Sequence, residues 1–285
     1  MIKTPLKIES FHNLPSDDAI LCRYITIDKL LDFLLEARIS LVKLNLFEDK
    51  LEGVNLEHLQ LNYKSDKIAE QMKNEGNAFE YLGLNINPTK RNLFRRKREN
   101  FQDTNYASCW YINNHESVAM WQLYSKPDSV AIRIPFKDLL NELSNYNFNL
   151  PNHNYEKLTY GCVDYHQFNN FEKLCSTDLK NDLQGFIKDS SFGHEQEFRI
   201  IVEIKEEPKY TEARGIIPDE DVDEINEAQN IKVIHLLLPN FKNLPFEIIF
   251  HPQSTDWHRR NINKMLEKFD LTFKASESAL KDIFK

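Results

Sequence analysis

The segment 195–203 constrains the fold of this chain more than any other. Its apolar residues Phe198, Ile200 and Val202 alternate with polar ones, which is the period of a strand with one buried face. Glu195 and Glu197 are two residues apart at its start, so we expect both to point to the face opposite Phe198. Two like charges held side by side are costly unless a ligand, a metal or a cation offsets them. The sequence therefore predicts a strand that begins with a functional acid pair.

The rest of the chain predicts a single α+β domain, 1–285, with candidate surface insertions at 49–100 and 206–229. Strand and helix patterns alternate irregularly and several strands follow one another as in hairpins, which favours a mixed, largely antiparallel sheet flanked by helices. The predicted strands are 19–24, 39–46, 106–111, 129–134, 158–165, 197–203, 231–238, 246–250 and 271–274. The predicted helices are 28–35, 49–77, 116–124, 178–188 and 254–268.

Composition excludes several classes of protein. The chain has only seven glycines, and neither GxGxxG nor GxxxxGK[ST] occurs, so no glycine-rich phosphate loop is present. The net charge of −8 argues against a general nucleic-acid-binding protein. The four cysteines are scattered without a CxxC pair, as in a reducing compartment, and no metal site is predicted. No signal peptide or membrane-spanning run is visible, so we expect a cytoplasmic protein that does not bind a membrane.

Arg23 ends an apolar strand, between Cys22 and Tyr24. A buried charge without a partner is expensive, so its guanidinium either pairs with a carboxylate or binds an anion such as a phosphate. Both alternatives stay open at this point.

A basic run lies in the first candidate insertion. It has two readings: a solvated helix face, or a contact surface for a nucleic acid or another acceptor. Its cations are Arg91, Arg95, Arg96, Lys97 and Arg98.

Five blocks and the tail of the chain resemble a widespread bacterial family catalogued as domain of unknown function 2971. The block with Cys109-Trp110 followed by Glu116-Ser117 and Met120-Trp121 is the most specific. The tail contributes Pro252, Trp257 and Ser276-Glu277-Ser278. The other blocks are 22–24, 130–133 and 192–199. The family name implies no chemistry.

A second resemblance concerns mechanism. ADP-ribosyltransferases similarly use an Arg or His on an early strand, a hydroxyl-bearing strand and helix in the middle, and a late Glu-x-Glu at a loop-to-strand turn. The middle strand here has Ala107-Ser108-Cys109 where those enzymes have Ser-Thr-Ser. The resemblance implies NAD as substrate, and the enzymatic hypothesis depends on a single cleft shared by Arg23 and Glu197.

The resemblance also implies roles for individual residues. Glu197 would hydrogen-bond the nicotinamide ribose and stabilise positive charge in the transition state, and Glu195 would orient or deprotonate the acceptor. Arg23, with Tyr24 beside it, would hold an NAD phosphate or ribose. The nicotinamide would be seated by Ser108 and stacked by Trp110 or Tyr124.

We therefore expect an ADP-ribosyltransferase-like bacterial effector or toxin, with an anti-phage role as one form. Its acceptor would be a protein or a nucleic acid, and an antitoxin or a defence-system protein is a candidate partner. One alternative is a metal-dependent nuclease that uses Asp189, Glu203 and Lys205, because acids with a Glu-x-Lys strand end are similar to such sites. The other alternative is an inert binding or regulatory module, in which Glu195, Glu197 and Arg23 form a structural network.

Overall fold

A large mixed sheet is the centre of the described part of the chain. The structure, a computed structural model, describes residues 7–10, 13–49, 51–54, 99–144, 148, 155–168, 184–204 and 231–283. The strands are β1 (Lys7–Ser10), β2 (Ile20–Ile25), β3 (Arg38–Lys43), β4 (Asn105–Ile112), β5 (Val130–Pro135), β6 (Tyr155–Cys162), β7 (Asp164–His166), β8 (Ile187–Asp189), β9 (Glu197–Ile204), β10 (Val233–Leu237), β11 (Glu247–Phe250) and β12 (Lys274–Ser276). The helices are α1 (Ile27–Glu36), α2 (Val118–Tyr124), α3 (Phe136–Ser144) and α4 (Asp256–Lys268), with 3₁₀ turns at Leu44–Leu46, Ser190–Glu195 and Phe241–Asn243.

Within the described residues, ten of these strands form one sheet in the order β1-β6-β9-β4-β2-β5-β11-β12, and β3 joins β4 to β10. The pairs β1–β6 and β11–β12 are parallel, whereas the other pairs in this sheet are antiparallel. Strands β7 and β8 form a separate parallel pair. The predicted mixed α+β fold with a largely antiparallel sheet is confirmed.

The two faces of the sheet carry different elements. The α1 face holds the main apolar core, in which side chains of β2, β4 and β9 such as Leu21, Trp110 and Phe198 pack with helices α1, α3 and α4. The α2 face holds a smaller core in which Cys22 and Tyr111 pack against helix α2. The alternation of side chains along each strand therefore decides which face a residue reaches.

Local sequence explains the helices next to the site. Thr26, with extended backbone, precedes α1, whose buried stripe is Leu30, Phe33 and Leu34. Ser117 caps α2 by accepting a hydrogen bond from the Met120 backbone N–H. None of the helices that the structure describes is long and apolar enough to cross a bilayer.

Several predicted boundaries need correction. The helix predicted for 178–188 is wrong at its end, because residues 187–189 pair in parallel with β7 as strand β8. The strand predicted for 39–46 ends at Lys43 in a 3₁₀ turn, and the final strand lies at 274–276. Helix α3 was not predicted. The predicted helix 49–77 and the insertions 49–100 and 206–229 lie almost wholly outside the described residues, and the single-domain prediction stays a prediction.

Candidate active site

The acid pair lies where the 3₁₀ turn Ser190–Glu195 meets strand β9. Gln196 joins them with a left-handed backbone, at φ 38°, which is uncommon for a residue with a side chain. Glu195 therefore precedes the strand, yet the turn brings its carboxylate to the same lysine as that of Glu197. The expectation that both acids face the same side is correct, although a left-handed turn and not strand alternation produces it.

Lys188 on β8 bridges the two acids. Its Nζ donates to Glu195 Oε2, and to Glu197 Oε1 at 3.1 Å. The ring of Phe192 lies over the same ammonium group, 4.5 Å from Nζ to the ring centroid. One buried cation thus holds both carboxylates in place.

Arg199 is the second cation of the cluster. Its Nε donates to Glu197 Oε2 at 2.5 Å, and its two terminal nitrogens hold the carboxylate of Glu52 in a bidentate pair. Nη1 also donates to the Gly185 carbonyl at 2.7 Å. This fork geometry is the one in which arginine binds a carboxylate most strongly. We call the five residues Glu52, Lys188, Glu195, Glu197 and Arg199 the acid cluster.

The acid cluster is almost closed to solvent. Glu195 is 3% exposed, Glu197 is 8% exposed and Arg199 is fully buried. It holds three carboxylates and two cations, so its formal charge is negative if all groups are ionised. Burying an excess negative charge is costly, which favours a proton on one of the carboxylates.

The two acids differ in their protonation. Burial and the neighbouring Glu197 raise the pKa of Glu195 above its usual range. Burial would also raise the pKa of Glu197, but the Arg199 guanidinium and Lys188 outweigh it and hold that pKa well below the usual range. Glu197 is therefore the ionised member of the pair, and Glu195 is the member that takes up a proton.

Tyr124 connects the acid cluster to solvent. It ends helix α2, is 46% exposed, and its phenol O–H donates to Glu195 Oε1. Burial and this bond to Glu195 raise the pKa of the phenol, so Tyr124 acts as a hydrogen-bond donor at neutral pH. A second tyrosine contacts the acid pair: the Glu197 backbone N–H donates to the Tyr165 hydroxyl at 3.0 Å.

Hydroxyl-bearing aromatic residues extend the site along the α2 face. Tyr111 is the cross-strand neighbour of both Glu197 on β9 and Cys22 on β2. Tyr24 lies further along β2, with its ring centroid 6.4 Å from that of Tyr111 and 4.7 Å from that of Trp121. The Tyr24 hydroxyl accepts a hydrogen bond from the Ser117 backbone N–H at 3.3 Å.

Glu116 links the most specific block to the tail. Its carboxylate accepts hydrogen bonds from Trp121 Nε1 at 2.9 Å, Ser278 Oγ at 2.5 Å and the Ala279 backbone N–H at 2.6 Å. These bonds attach the end of the described chain to the start of helix α2. The block thus shapes the helix that carries Tyr124.

The predicted site residues do not form one group. Tyr24, Tyr124, Glu195 and Glu197 lie on the α2 face, but Arg23, Ser108 and Trp110 lie on the α1 face. Arg23 alternates with Cys22 and Tyr24 along β2, and its Nη1 donates to Ser108 Oγ at 3.1 Å. Trp110 Nε1 donates to the same hydroxyl at 3.1 Å. The expectation of a single cleft shared by Arg23 and Glu197 is therefore wrong, because strand alternation sends their side chains through opposite faces of the sheet.

The nuclease residues are also apart. Asp189 adjoins Lys188 near the start of β9, where its carboxylate accepts from the Ser191 and Phe168 backbone N–H groups. Glu203 lies six residues further along that strand, about 20 Å at ~3.3 Å per residue. Two ligands of one divalent ion lie within ~2.6 Å of it, so these acids do not share a metal.

Lys205 and the basic residues Arg91, Arg95, Arg96, Lys97 and Arg98 lie outside the described residues.

Three members of the acid cluster were not predicted from the sequence. Arg199 was detectable, because it lies two residues after Glu197 on a strand and so shares its face. Lys188 could not be assigned to the site, because its segment was predicted as a helix and not as strand β8. Glu52 is 147 residues from Arg199 and gives no local signal.

The comparisons with known proteins concern mainly this region. Residues 120–200 match the model of a family described as a protein of unknown function (DUF2971). The matched span runs from helix α2 to strand β9 and contains Tyr124, Lys188, Glu195, Glu197 and Arg199. It supports the resemblance to that family predicted from the sequence. No curated protein and no solved structure matches the chain, and no comparison supports the resemblance to ADP-ribosyltransferases.

Proposed function

We propose that this chain is an ADP-ribosyltransferase-like enzyme that uses NAD as substrate, with the acid cluster as its chemical centre. The observation that carries the proposal is geometric: Lys188 bridges the buried carboxylates of Glu195 and Glu197, and Tyr124 connects Glu195 to solvent. Their surroundings move the pKa of Glu195 up and that of Glu197 down. A pair of carboxylates whose pKa values are driven apart is a frequent signature of an acid–base site.

The order of the strands supports the same assignment. The early, middle and late segments of the resemblance are β2, β4 and β9, which are neighbours in the sheet. On the α2 face this neighbourhood aligns Cys22, Tyr111 and Glu197 in one row across the three strands. We therefore propose an ADP-ribosyltransferase-like core whose substrate-facing hydroxyls come from Tyr24 and Tyr124. Arg23, Ser108 and Trp110, which were expected to hold NAD in a shared cleft, lie on the other face, so the proposal rests on the acid cluster and not on that cleft.

Glu197 would act as the ionised carboxylate of the reaction. When the bond between nicotinamide and ribose breaks, positive charge develops at the ribose, and a fixed carboxylate stabilises it. Lys188 and Arg199 each occupy one Glu197 oxygen, and a carboxylate offers about four lone-pair sites, so each oxygen retains acceptor capacity. The two cations hold the carboxylate rigidly.

Glu195 would act as the general base. An acceptor hydroxyl or amine loses a proton as it attacks the ribose, and a base with a raised pKa takes up that proton most effectively near neutral pH. Glu195 is hydrogen-bonded to the half-exposed Tyr124, so its carboxylate is one side chain away from solvent. Tyr124 thereby positions Glu195.

The acceptor in this proposal is a macromolecule, either a protein or a nucleic acid. A basic run such as Arg91 to Arg98 favours a nucleic acid, because it would neutralise phosphates. The proposed biological role is that of a bacterial effector or toxin, including anti-phage defence, with an antitoxin or defence protein as partner.

One observation favours a second candidate, an inert module. Every carboxylate of the acid cluster is paired with a cation in the buried interior, as in a structural network. In such a module the five residues would specify the fold and would not turn over NAD.

Transfer of label from NAD separates the two candidates. The purified chain is incubated with NAD labelled in the adenylate phosphate, together with protein, RNA and DNA acceptors, and nicotinamide release is followed in parallel. Glu195→Gln keeps the shape of the side chain, and Glu267→Gln, exposed on helix α4, is the matched control. We expect Glu195→Gln to lower release by at least ~100-fold, the usual contribution of a general base, and Glu267→Gln to behave as wild type.

The contrary outcome is equally specific. If folded wild-type protein releases no nicotinamide with any acceptor, and Glu195→Gln changes only the melting temperature, the inert module is correct. Adding EDTA to the same assay provides a further separation, because NAD turnover by this site needs no divalent ion whereas nuclease activity would be lost.

A further inference from the structure

A cavity of about 340 Å³ lies on the α1 face, on the other side of the sheet from the acid cluster. Its size is within the range of pockets that bind small molecules. Much of its wall is apolar and comes from strands β2, β3, β5 and β10 and helix α1. These apolar residues are Ile25, Phe33, Ile39, Val42, Ile132 and Val233.

Arg23 is the polar end of this cavity. Its Nη1 donates to the Ser40 carbonyl and to the Ser108 hydroxyl, both at 3.1 Å, and its guanidinium lies 5.8 Å from the centroid of the Trp110 ring. Both acceptors are neutral, and within the described residues no carboxylate pairs with Arg23. Burial lowers the pKa of the guanidinium, which reflects a cation whose charge is not balanced by a carboxylate. Pairing and anion binding were open alternatives for Arg23, and its neutral acceptors among the described residues favour the anion.

Lys29 adds a second cation to the wall. It is exposed on the first turn of helix α1, and in the described part of the chain it has no ion-pair partner. Partial burial of its ammonium group in the cavity wall, and next the proximity of Arg23, lower the pKa of that group. A ligand with negative charge would relieve the repulsion between the two cations.

The other charged groups of the cavity reduce this balance, because the lining holds three cations and two carboxylates in all. Arg38 is paired with Asp32, because its Nε donates a hydrogen bond to Asp32 Oδ1 at 3.1 Å. Asp28 is exposed at the start of helix α1. His235 is hydrogen-bonded through Nδ1 to the Ser40 hydroxyl at 3.2 Å. The lining as a whole keeps an excess of positive charge beside an apolar wall.

We propose that this cavity binds a small organic phosphate, with the phosphate group on Arg23 and Lys29 and the apolar body against Phe33 and Ile132. A phosphate monoester carries nearly two negative charges at neutral pH, which matches two cations better than a carboxylate does. An arginine fork and a lysine are the side chains that most often bind phosphate. The site is separate from the acid cluster and does not depend on the proposed function.

Calorimetric titration of the full chain tests the proposal. The probes are phenyl phosphate and adenosine monophosphate, with phenol and adenosine as their uncharged counterparts and inorganic phosphate as the counterpart without an apolar body. We expect saturable binding of at least one of the two organic phosphates, at least tenfold weaker binding of its uncharged counterpart, and weaker binding of inorganic phosphate.

Two variants attribute the binding to this cavity. Lys29→Met removes an exposed cation with little risk to folding, and we expect it to weaken phosphate binding at least fivefold. Lys264→Met, exposed on helix α4 and outside the lining, is the matched control and should bind as wild type. The proposal is overturned if neither organic phosphate binds wild type saturably, if inorganic phosphate binds as tightly as they do, or if Lys29→Met and Lys264→Met bind equally well.

Discussion

Arg23 and Glu197 project from opposite faces of one sheet, although a single strand, β4, separates the strands that carry them. This relationship separates two sites of opposite character among the described residues. The α2 face holds a buried cluster with an excess of carboxylates, and the α1 face holds a cavity with an excess of cations. Each site therefore has its own chemistry and its own tests.

Removal of Arg199 should be strongly destabilising. Arg199→Met leaves Glu52 buried without its cation and Glu197 with Lys188 alone, and breaking a buried pair in this way costs about 3–5 kcal/mol. Arg133→Met is the matched control, because Arg133 forms a partly exposed pair with Glu247 at 3.2 Å, for which we expect less than about 1 kcal/mol. Urea denaturation measures both. Equal losses in the two variants would show that the acid cluster contributes no more than a surface pair.

The stability contributed by Glu197 should depend on pH. Its folded-state pKa is depressed by Arg199 and Lys188 despite burial, so its contribution is fully present above the ordinary glutamate pKa of about 4.3 and is lost as pH falls towards the depressed value. The difference in unfolding free energy between wild type and Glu197→Gln should therefore shrink below about pH 4.5. A difference that stays constant down to pH 3 would contradict the depressed pKa. Glu195 is present in both proteins, but burial and Glu197 together raise its pKa, so its contribution, which has the opposite sign, also changes in Glu197→Gln.

Glu116 should couple the end of the described chain to helix α2. Its carboxylate accepts bonds from Trp121, Ser278 and the Ala279 backbone, so Glu116→Ala should cost about 1–3 kcal/mol and expose residues after Ser276 to protease. Glu267→Gln is the exposed control. A double-mutant cycle of Glu116→Gln with Ser278→Ala should give a coupling energy of at least about 0.5 kcal/mol. Additive effects would mean that the two residues do not interact.

Local pattern predicts much of this fold. The alternation of Phe198, Ile200 and Val202 predicts strand β9 and its buried face correctly, and an apolar stripe after Thr26 predicts helix α1. Both features depend on neighbours within a few residues. The same alternation along β2 puts Arg23 on the face opposite Cys22 and Tyr24, and the prediction that Arg23 and Tyr24 bind NAD together did not apply it.

The parts of the fold and of the site that local pattern does not predict depend on pairing between distant segments. Alternation cannot say which face of β2 matches which face of β9, because that depends on the registers of both strands with β4. The partner of Arg199, Glu52, is likewise brought near by the tertiary fold alone. Lys188 was assigned to a helix because a short parallel strand of three residues has too little pattern to be detected.

The pH dependence of nicotinamide release by wild type and Tyr124→Phe tests the central claim most directly. If Glu195 is the general base, release rises with pH as Glu195 loses its proton, at a pH above the usual glutamate range. The Tyr124 hydrogen bond lowers the pKa of Glu195, so Tyr124→Phe should shift this rise to higher pH while the protein keeps its fold. An unchanged pH profile in Tyr124→Phe, or no release by folded wild-type protein at any pH, would contradict the assignment of the acid cluster as an active site.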